Sequence, residues 1–259
     1  MAELNGVPVT ADELRALALT NYGHFTSMRV DGGRVRGLTL HMNRLVRDCR
    51  TVFDADLDPE YVLFLVRKAT ADQTGSFVIR VTIFDPELEM GHPGSKADPK
   101  VLVTSRPAAV LPLSPLRVQS AQFTRDLPQV KHIGLMGSLR HRRIAQLNGY
   151  DDAIFVDRDG FISEGVTWNC GFFDGDQIVW PQGDVLPGVT MDVLTEVHGP
   201  SVTARVNLNE VHGMEAAFAT NTSIGVRPIS AIDGRVFADE HPILGELQAK
   251  YLRFLGEAL

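Results

Sequence analysis

The sequence predicts a mixed α/β protein, in the α+β sense, built from two lobes. Helical periods and short β-type runs follow one another along both halves of the 259 residues. The segment 106–116, "RPAAVLPLSPL", holds three prolines and no helical period, which is typical of a boundary between lobes. We therefore expect a small N-terminal α/β lobe at 1–110 and a larger C-terminal lobe at 111–259.

The N-terminal half begins with a helix signal, because Thr10 and Glu13 form a capping box in "TADELRALAL". "HFTSMRV", the turn "DGG" and "RVRGL" predict a hairpin. A second helix is predicted over "HMNRLVRDCRTVF", whose apolar residues fall on one face: Met42, Leu45, Cys49, Val52 and Phe53. "PEYVLFLVRKA" predicts a third helix, and "GSFVIRVTIF" and "KVLVTS" predict two strands around a long loop.

The C-terminal half alternates more densely between strands and helices. A strand over "RVQSAQF" leads to Lys131, and a helix over "LMGSLRHRRIAQLN" ends at Gly149. Four short strands follow, over "DAIFVD", "FISEG", "TWNCGFF" and "QIVW". A short helix after "LPGVT", strands over "SVTARV" and "EAAFATN", and a final helix at about 242–256 complete the chain.

Composition narrows the class of function. The net charge is −7 and the pI about 5.6, which disfavours a nucleic acid or an anionic membrane as partner. The two cysteines have no metal-ligand spacing and suggest no disulfide framework. The N-terminus has no signal-peptide pattern, and no run approaches the roughly 20 apolar residues of a membrane span. We therefore expect a cytoplasmic protein without a bound metal.

One lysine lies in an unusual setting. Five of the 25 basic residues are lysines, and Lys131 alone is flanked by apolar residues, in "DLPQVKHIGL". A surface lysine whose stem covers apolar neighbours has this pattern. A lysine held among apolar groups instead has its pKa lowered from about 10.4, and its neutral amine forms a Schiff base with a carbonyl.

Two segments suit a phosphate group. In "LPGVT", Gly188 permits close approach of a ligand to the backbone, and Val189 and Thr190 open a helix whose N–H groups favour an anion. In "TNTS", Thr222 and Ser223 follow an apolar strand and offer hydroxyls for a second phosphate contact. Taken alone, the first segment also matches an ordinary turn with a helix cap. The second also matches a loop whose hydroxyls form hydrogen bonds with the local backbone.

A carboxylate follows a strand in "FISEG". Glu164 at that place suits a pyridinium nitrogen, which a carboxylate keeps protonated so that the ring withdraws electrons. An exposed turn glutamate is the alternative. Lys131, Glu164 and the two phosphate-type segments share one chemistry, that of holding a reactive carbonyl cofactor with a phosphate group.

The order of "HMNRL", "VKH", "FISEG", "LPGVT" and "TNTS" resembles the class IV aminotransferases, the fold-type IV pyridoxal-phosphate enzymes. That family includes branched-chain and D-amino-acid aminotransferases and 4-amino-4-deoxychorismate lyase. The resemblance runs from about residue 4 to 235 and is strongest in the 33-residue step from Lys131 to Glu164, with "LPGVT" after it. It implies two lobes, pyridoxal 5'-phosphate in the cleft between them, and a homodimer.

The resemblance also implies a role for each matching residue. Lys131 occupies the place of the Schiff-base lysine, and Glu164 that of the partner of the pyridine nitrogen. Arg44 in "HMNRL" matches the arginine that binds the cofactor phosphate, a task that suits a guanidinium fork. Asn169 matches a supporting residue beside the cofactor. The remaining implied phosphate contacts are Val189, Thr190, Thr222 and Ser223.

The N-terminal half departs from the family patterns that set substrate choice. "FTSMRV" is closest to the lyase and makes Phe25 a candidate substrate contact. "VIRVTIF" and "EMGHP" resemble the branched-chain enzymes and align Arg80 with a substrate-facing arginine. The lyase elements "VSRG" and "LNRLEQ" are replaced here by "VTIF" and "IGLMGSL".

Three functions remain open at this point. An aminotransferase is favoured, because the missing lyase elements lie near the reacting end of the substrate. An aminodeoxychorismate-type lyase, which releases pyruvate, is the alternative. A non-catalytic homologue that binds the cofactor is the third. It ranks last because a protein without activity has no need of the Schiff-base amine. The sequence leaves the amino donor, the acceptor and the stereochemistry open.

Overall fold

A computed structural model describes residues 1–199 and 201–259. The helices are α1 (Ala11–Thr20), α2 (Leu38–Phe53), α3 (Pro59–Thr70), α4 (Met136–Leu147), α5 (Val189–His198) and α6 (Pro242–Arg253). The strands are β1 (Ala2–Leu4), β2 (Val7–Pro8), β3 (His24–Asp31), β4 (Arg34–Val35), β5 (Phe77–Phe84), β6 (Lys100–Pro107), β7 (Leu116–Gln122), β8 (Asp152–Val156), β9 (Ile162–Gly165), β10 (Asn169–Phe173), β11 (Ile178–Pro181), β12 (Ser201–Ala204), β13 (Ala216–Asn221), β14 (Gly225–Ile232), β15 (Arg235–Val236) and β16 (Glu257–Ala258). The predicted mixed α/β class is confirmed.

The chain forms two compact units. The first comprises residues 1–109, 130–134 and 256–259, and the second comprises 110–129 and 135–255. The segment that contains Lys131 therefore groups with N-terminal residues that lie far from it in sequence. The division into a small lobe at 1–110 and a larger lobe at 111–259 stays a prediction.

The first unit is an antiparallel sheet covered by helices. Its strand order is β16-β4-β3-β5-β6-β1-β2, and β3 and β4 form the hairpin that the sequence predicts. Alternate residues of β5 turn one apolar face toward α2 and α3, because side chains of a strand alternate between faces. Four of the five apolar residues predicted for the core face of α2 are buried, and Val52 packs partly buried against them.

The second unit is built on a mixed sheet. Its strand order is β12-β11-β10-β13-β14-β7-β8-β9, and β15 pairs with β14. The strands β7 and β8 are parallel, and α4 makes the crossover that a parallel pair requires. A core of buried apolar side chains lines this sheet and includes Ile154, Phe172, Ala217 and Ile229.

Helix ends follow the local signals in the sequence. The Thr10–Glu13 capping box is present at the start of α1, as predicted. Gly149, beyond the end of α4, adopts a φ of 84°, the left-handed region that glycine favours. The final helix ends at Arg253, three residues before the predicted limit of 256.

The strand β14 was not predicted from the sequence. It contains Pro228, which reads as a break because proline has no N–H for a central strand. In the structure Pro228 pairs with Phe218 of β13, and the strand continues to Ile232 beside β7. In the part of the chain that the structure describes, no helix is long and apolar enough to cross a membrane.

Candidate functional site

Lys131 lies in a short segment that is held in place by hydrogen bonds of its backbone. The Phe25 N–H donates to the Lys131 carbonyl at 2.8 Å, and the Ile133 N–H donates to Gly23 at 3.0 Å, so the segment pairs with the start of β3. The Lys131 N–H donates to the Asp48 carboxylate at 3.0 Å. Both backbone polar groups of Lys131 are therefore bound, one to β3 and one to α2.

An aromatic ring lies beside the Lys131 amine. The Nζ atom is 5.0 Å from the centroid of the Phe25 ring, and the guanidinium carbon of Arg80 is 3.7 Å from the same centroid. Arg80 also donates from Nε to the Thr82 hydroxyl at 3.2 Å. Burial lowers the pKa of Arg80. The structure thus brings the two candidate substrate contacts, Phe25 and Arg80, together with Lys131.

Arg44 is held by two buried side chains of the first unit. It is 7% exposed, and its Nη2 donates to the Thr26 hydroxyl, whose oxygen is 2.7 Å from His41 Nδ1. Arg44 Nη2 also lies 3.3 Å from His41 Nδ1, and because arginine only donates, that nitrogen accepts. The Thr26 hydroxyl therefore accepts from Arg44 and gives its own hydrogen to His41. Burial, and then the positive charges of Arg44 and Lys131, lower the pKa of His41 well below its ordinary value. His41 is therefore a neutral acceptor.

Glu164 is buried in the second unit and does not lie in an exposed turn. It is 4% exposed, and its Oε1 accepts from Arg125 Nε at 2.7 Å. Its Oε2 accepts from the Leu186 N–H at 3.2 Å. Since Leu186 opens "LPGVT", the carboxylate is linked directly to the predicted phosphate-type segment.

The start of α5 is suited to an anion. Gly188 is its N-cap, without a side-chain capping bond, and a Cβ built on Gly188 would lie 1.9 Å from Asn169 Oδ1. Asn169 also donates from Nδ2 to the Leu186 carbonyl at 2.8 Å, so it holds this turn from inside. The buried Thr190 hydroxyl has no hydrogen-bond partner among the described residues. The backbone N–H groups at the start of α5 and the Thr190 hydroxyl are donors that fit a phosphate group. Val189 lies buried at the same helix start.

The "TNTS" segment follows β13, which packs against α5. Asn221 Oδ1 accepts from the Ser223 N–H at 2.9 Å, so that amide serves the local turn. Thr222 and Ser223 are half-buried, and their hydroxyls are the groups left for a ligand. The hydroxyl of Thr220, at the end of the strand, is buried without a partner in residues 1–199 and 201–259. A second phosphate contact here stays a prediction.

Four residues beside the predicted set were not found from the sequence. They are Thr26, His41, Asp48 and Arg125. A signal existed for two of them: His41, Arg44 and Asp48 fall on one face of α2 at helical spacing. That face is polar and buried, and the apolar period alone does not reveal it.

Comparison with known proteins gives a family match over most of the chain. Residues 23–232 match the family model described as "Amino-transferase class IV". The Arabidopsis thaliana "Branched-chain-amino-acid aminotransferase-like protein 2" is 28% identical over 130 residues. That alignment covers 48% of this chain and 23% of that protein, so the match spans less than a quarter of that relative's own length.

Two further similarities extend along the whole chain. A "Probable branched-chain-amino-acid aminotransferase" of Rickettsia typhi is 24% identical, over 97% of this chain and 95% of that protein. The solved structure of a branched-chain aminotransferase from Thermoproteus uzoniensis with norvaline has a TM-score of 0.88 at 22% identity. It covers 97% of this chain and 93% of that one, and it shows a shared fold.

Proposed function

Because this chain belongs to the class IV aminotransferase family, we propose that it transfers an amino group from an amino acid or amine to a keto acid with pyridoxal 5'-phosphate as cofactor. The family predicted from the five motifs is confirmed by the match over residues 23–232. Family membership implies the cofactor.

The observation that carries the proposal is the buried Glu164 carboxylate, which Arg125 and the Leu186 N–H hold at 2.7 and 3.2 Å. A buried carboxylate with fixed partners suits a ligand that carries a protonated ring nitrogen. When bound, pyridoxal phosphate supplies an electron-withdrawing ring for the electrons of a broken bond at the substrate α-carbon. Glu164 holds the proton at the ring nitrogen.

The other site residues divide the remaining work. Lys131 Nζ binds the cofactor aldehyde and moves the proton from the substrate α-carbon. Arg44 binds the phosphate with a guanidinium charge. The start of α5 and the "TNTS" turn donate further hydrogen bonds to it, through Val189, Thr190, Thr222 and Ser223.

The substrates are proposed from the surroundings of Lys131. Arg80, 3.7 Å from the Phe25 ring, offers a positive charge for a substrate carboxylate, and Phe25 offers an apolar wall. The proposal includes a cytoplasmic homodimer, which the resemblance and the composition support. The net charge of −7 argues against a nucleic acid or an anionic membrane as partner.

The lyase is not favoured over the aminotransferase. "VTIF" in β5 and "IGLMGSL" after Lys131 depart from the lyase elements, and the curated relatives carry branched-chain aminotransferase names. A non-catalytic homologue is disfavoured because the lysine and carboxylate are both present.

A half-reaction tests the proposal. With a panel of amino acids alone, the absorbance of the bound cofactor should change as pyridoxamine phosphate forms, and a keto acid should restore it. Steady release of pyruvate from aminodeoxychorismate without any keto acid, with no pyridoxamine phosphate across the panel, would favour the lyase instead. Borohydride reduction should attach the cofactor to the peptide that contains Lys131, and Lys131→Ala should abolish that attachment.

A further inference from the structure

A buried polar stripe runs along α2. His41, Arg44 and Asp48 are 0%, 7% and 0% exposed, and their spacing places them on one side of the helix. Charged side chains are seldom fully buried without a specific partner. His41 and Arg44 are linked to each other through Thr26, and Asp48 is bound to other groups.

Asp48 joins two distant parts of the chain. Its Oδ1 accepts from Arg47 Nε at 3.0 Å and from Nη2 at 2.7 Å. Its Oδ2 accepts from the backbone N–H of Lys131 at 3.0 Å, across 83 positions of sequence. A hydrogen bond to an ionised carboxylate is about twice as strong as one between neutral groups.

This bond completes the fixing of the Lys131 backbone. The Lys131 carbonyl accepts from the Phe25 N–H of β3 at 2.8 Å, while its N–H donates to Asp48 of α2. Two elements therefore hold the two polar groups on either side of one Cα atom. The direction in which the lysine side chain leaves the backbone is set by both.

We propose that Asp48 is a positioning residue that fixes Lys131 relative to Arg44. Arg44 and Asp48 are one helical turn apart on α2, so one rigid element sets both the arginine and the backbone of the lysine. The inference rests on the proposed function, in which Arg44 binds the phosphate and Lys131 the aldehyde of the same cofactor. The two ends of one molecule require a constant spacing between the groups that bind them.

Three variants separate this role from a general structural one. Asp48→Ala removes the acceptor. Asp48→Asn keeps an oxygen for the Lys131 N–H but removes the charge. Arg50→Met is the matched control, because it removes an arginine of the same helix that pairs with the exposed Asp56 and leaves both partners of Asp48 in place.

Hydrogen exchange on the protein without cofactor measures the bond itself, whatever the enzyme does. The Lys131 amide of the parent should be protected, and Asp48→Ala should accelerate its exchange roughly tenfold or more. Asp48→Asn and Arg50→Met should stay within about threefold of the parent. A Lys131 amide in the parent that exchanges at the rate of an unstructured peptide would overturn the proposal without any variant.

Loading with pyridoxal phosphate measures the consequence. After borohydride trapping, Asp48→Ala should attach cofactor to Lys131 roughly tenfold more slowly than the parent, and Asp48→Asn should recover most of that loss. Equal trapping rates in Asp48→Ala and the parent, or exchange that rises evenly along all of α2, overturn the positioning role. If the parent itself attaches no cofactor at Lys131, the proposed function fails and the positioning role fails with it, while the exchange data still report the bond.

Discussion

Arg125 donates its Nε hydrogen to Glu164 Oε1 across 2.7 Å, and both side chains are more than nine-tenths buried. The second carboxylate oxygen is occupied by the Leu186 N–H. A buried carboxylate requires a compensating charge and filled hydrogen bonds, and Arg125 supplies the charge. The position and the charge of Glu164 therefore depend on a residue that lies outside the motif containing it.

Glu164→Gln should separate cofactor binding from turnover. The amide has nearly the same shape, so the protein should fold and bind pyridoxal phosphate. A neutral amide cannot hold the proton on the ring nitrogen, which is the role proposed for Glu164. We expect kcat to fall by about a hundredfold or more. Turnover equal to that of the parent would limit Glu164 to a structural role.

Arg125→Met should act first on stability. It leaves Glu164 buried without its compensating charge, which should lower the free energy of unfolding by about 3–5 kcal/mol in a urea titration. Arg142→Met is the matched control, because it removes another ion pair of the second unit, to Asp152 at 2.8 Å. Only Arg125→Met should also lower turnover per cofactor-loaded molecule, and equal turnover losses in the two variants would contradict the special role of Arg125.

The sequence predicts Glu164 but not Arg125, and the reason is physical. Glu164 belongs to a run of local signals, a strand followed by a glycine, in a recognisable order with other motifs. Arg125 lies in a loop with no period, and its partner is 39 residues away. Only the tertiary path of the chain brings the two side chains together.

The fold shows the same limit. Helices such as α2 are predicted because their apolar period is local, and the capping box of α1 is read from four residues. The strand β14 is not predicted because it contains the unfavourable Pro228, and its pairing with β13 and β7 outweighs that residue only in the folded chain. The hydrogen bond from Lys131 to Asp48 is not predicted either, because it joins two segments that are distant in sequence and no local pattern in either segment indicates it.

Gly188→Ala should damage the start of α5. An added Cβ would lie 1.9 Å from Asn169 Oδ1, so the turn or Asn169 must move. We expect the affinity for pyridoxal phosphate to fall at least tenfold and the stability by about 1–3 kcal/mol. Gly183→Ala is the control, because its Cβ would meet Ser163 at an ordinary 3.5 Å. Equal cofactor affinity in both variants would exclude this turn from the phosphate site.

Arg44→Ala should weaken cofactor binding by about 1.5–3 kcal/mol, the range for a hydrogen bond to a charged group. Equilibrium dialysis against pyridoxal phosphate measures it. Arg50→Ala is the control on the same helix, because Arg50 pairs with Asp56 and two-thirds of its side chain is exposed. Unchanged affinity in Arg44→Ala would remove Arg44 from the phosphate site.

The buried His24 should make stability depend on pH. Burial, and then the charges of Arg44 and Arg47, lower its pKa to about 3 from an ordinary 6.5. Below pH 6.5 the unfolded chain takes up a proton that the folded chain refuses until about pH 3, so stability falls as pH falls through this window. The slope is about 1.4 kcal/mol per pH unit.

His24→Leu tests that slope. Between pH 7 and pH 5, the parent should lose about 2 kcal/mol more stability than this variant in urea titrations. His92→Ala, at an exposed histidine, should follow the parent. If His24→Leu has the same pH dependence as the parent, other groups cause the loss of stability at low pH, with His41 first among them.

Arg80 provides the test of substrate choice. Its guanidinium lies 3.7 Å from the centroid of the Phe25 ring, which lies 5.0 Å from the Lys131 amine. Under the proposed function we expect Arg80 to bind a carboxylate of a substrate that reacts at Lys131. Arg80→Met keeps the length of the side chain and removes its charge. For an acidic keto acid the KM should rise roughly tenfold or more, while KM for an apolar keto acid stays near that of the parent.

The control for Arg80 lies on the neighbouring strand β6. Arg106 pairs with Val78 and is exposed on the same face of the sheet, so Arg106→Met removes an equal charge from that face and leaves Arg80 unchanged. Cofactor affinity should be unchanged in both variants, because neither residue is assigned to the phosphate or the ring. If Arg80→Met and Arg106→Met both leave every kinetic constant within twofold of the parent, Arg80 serves only its contact with Phe25. A rise in KM for acidic and apolar keto acids alike would instead assign Arg80 to the α-carboxylate that all of these substrates share.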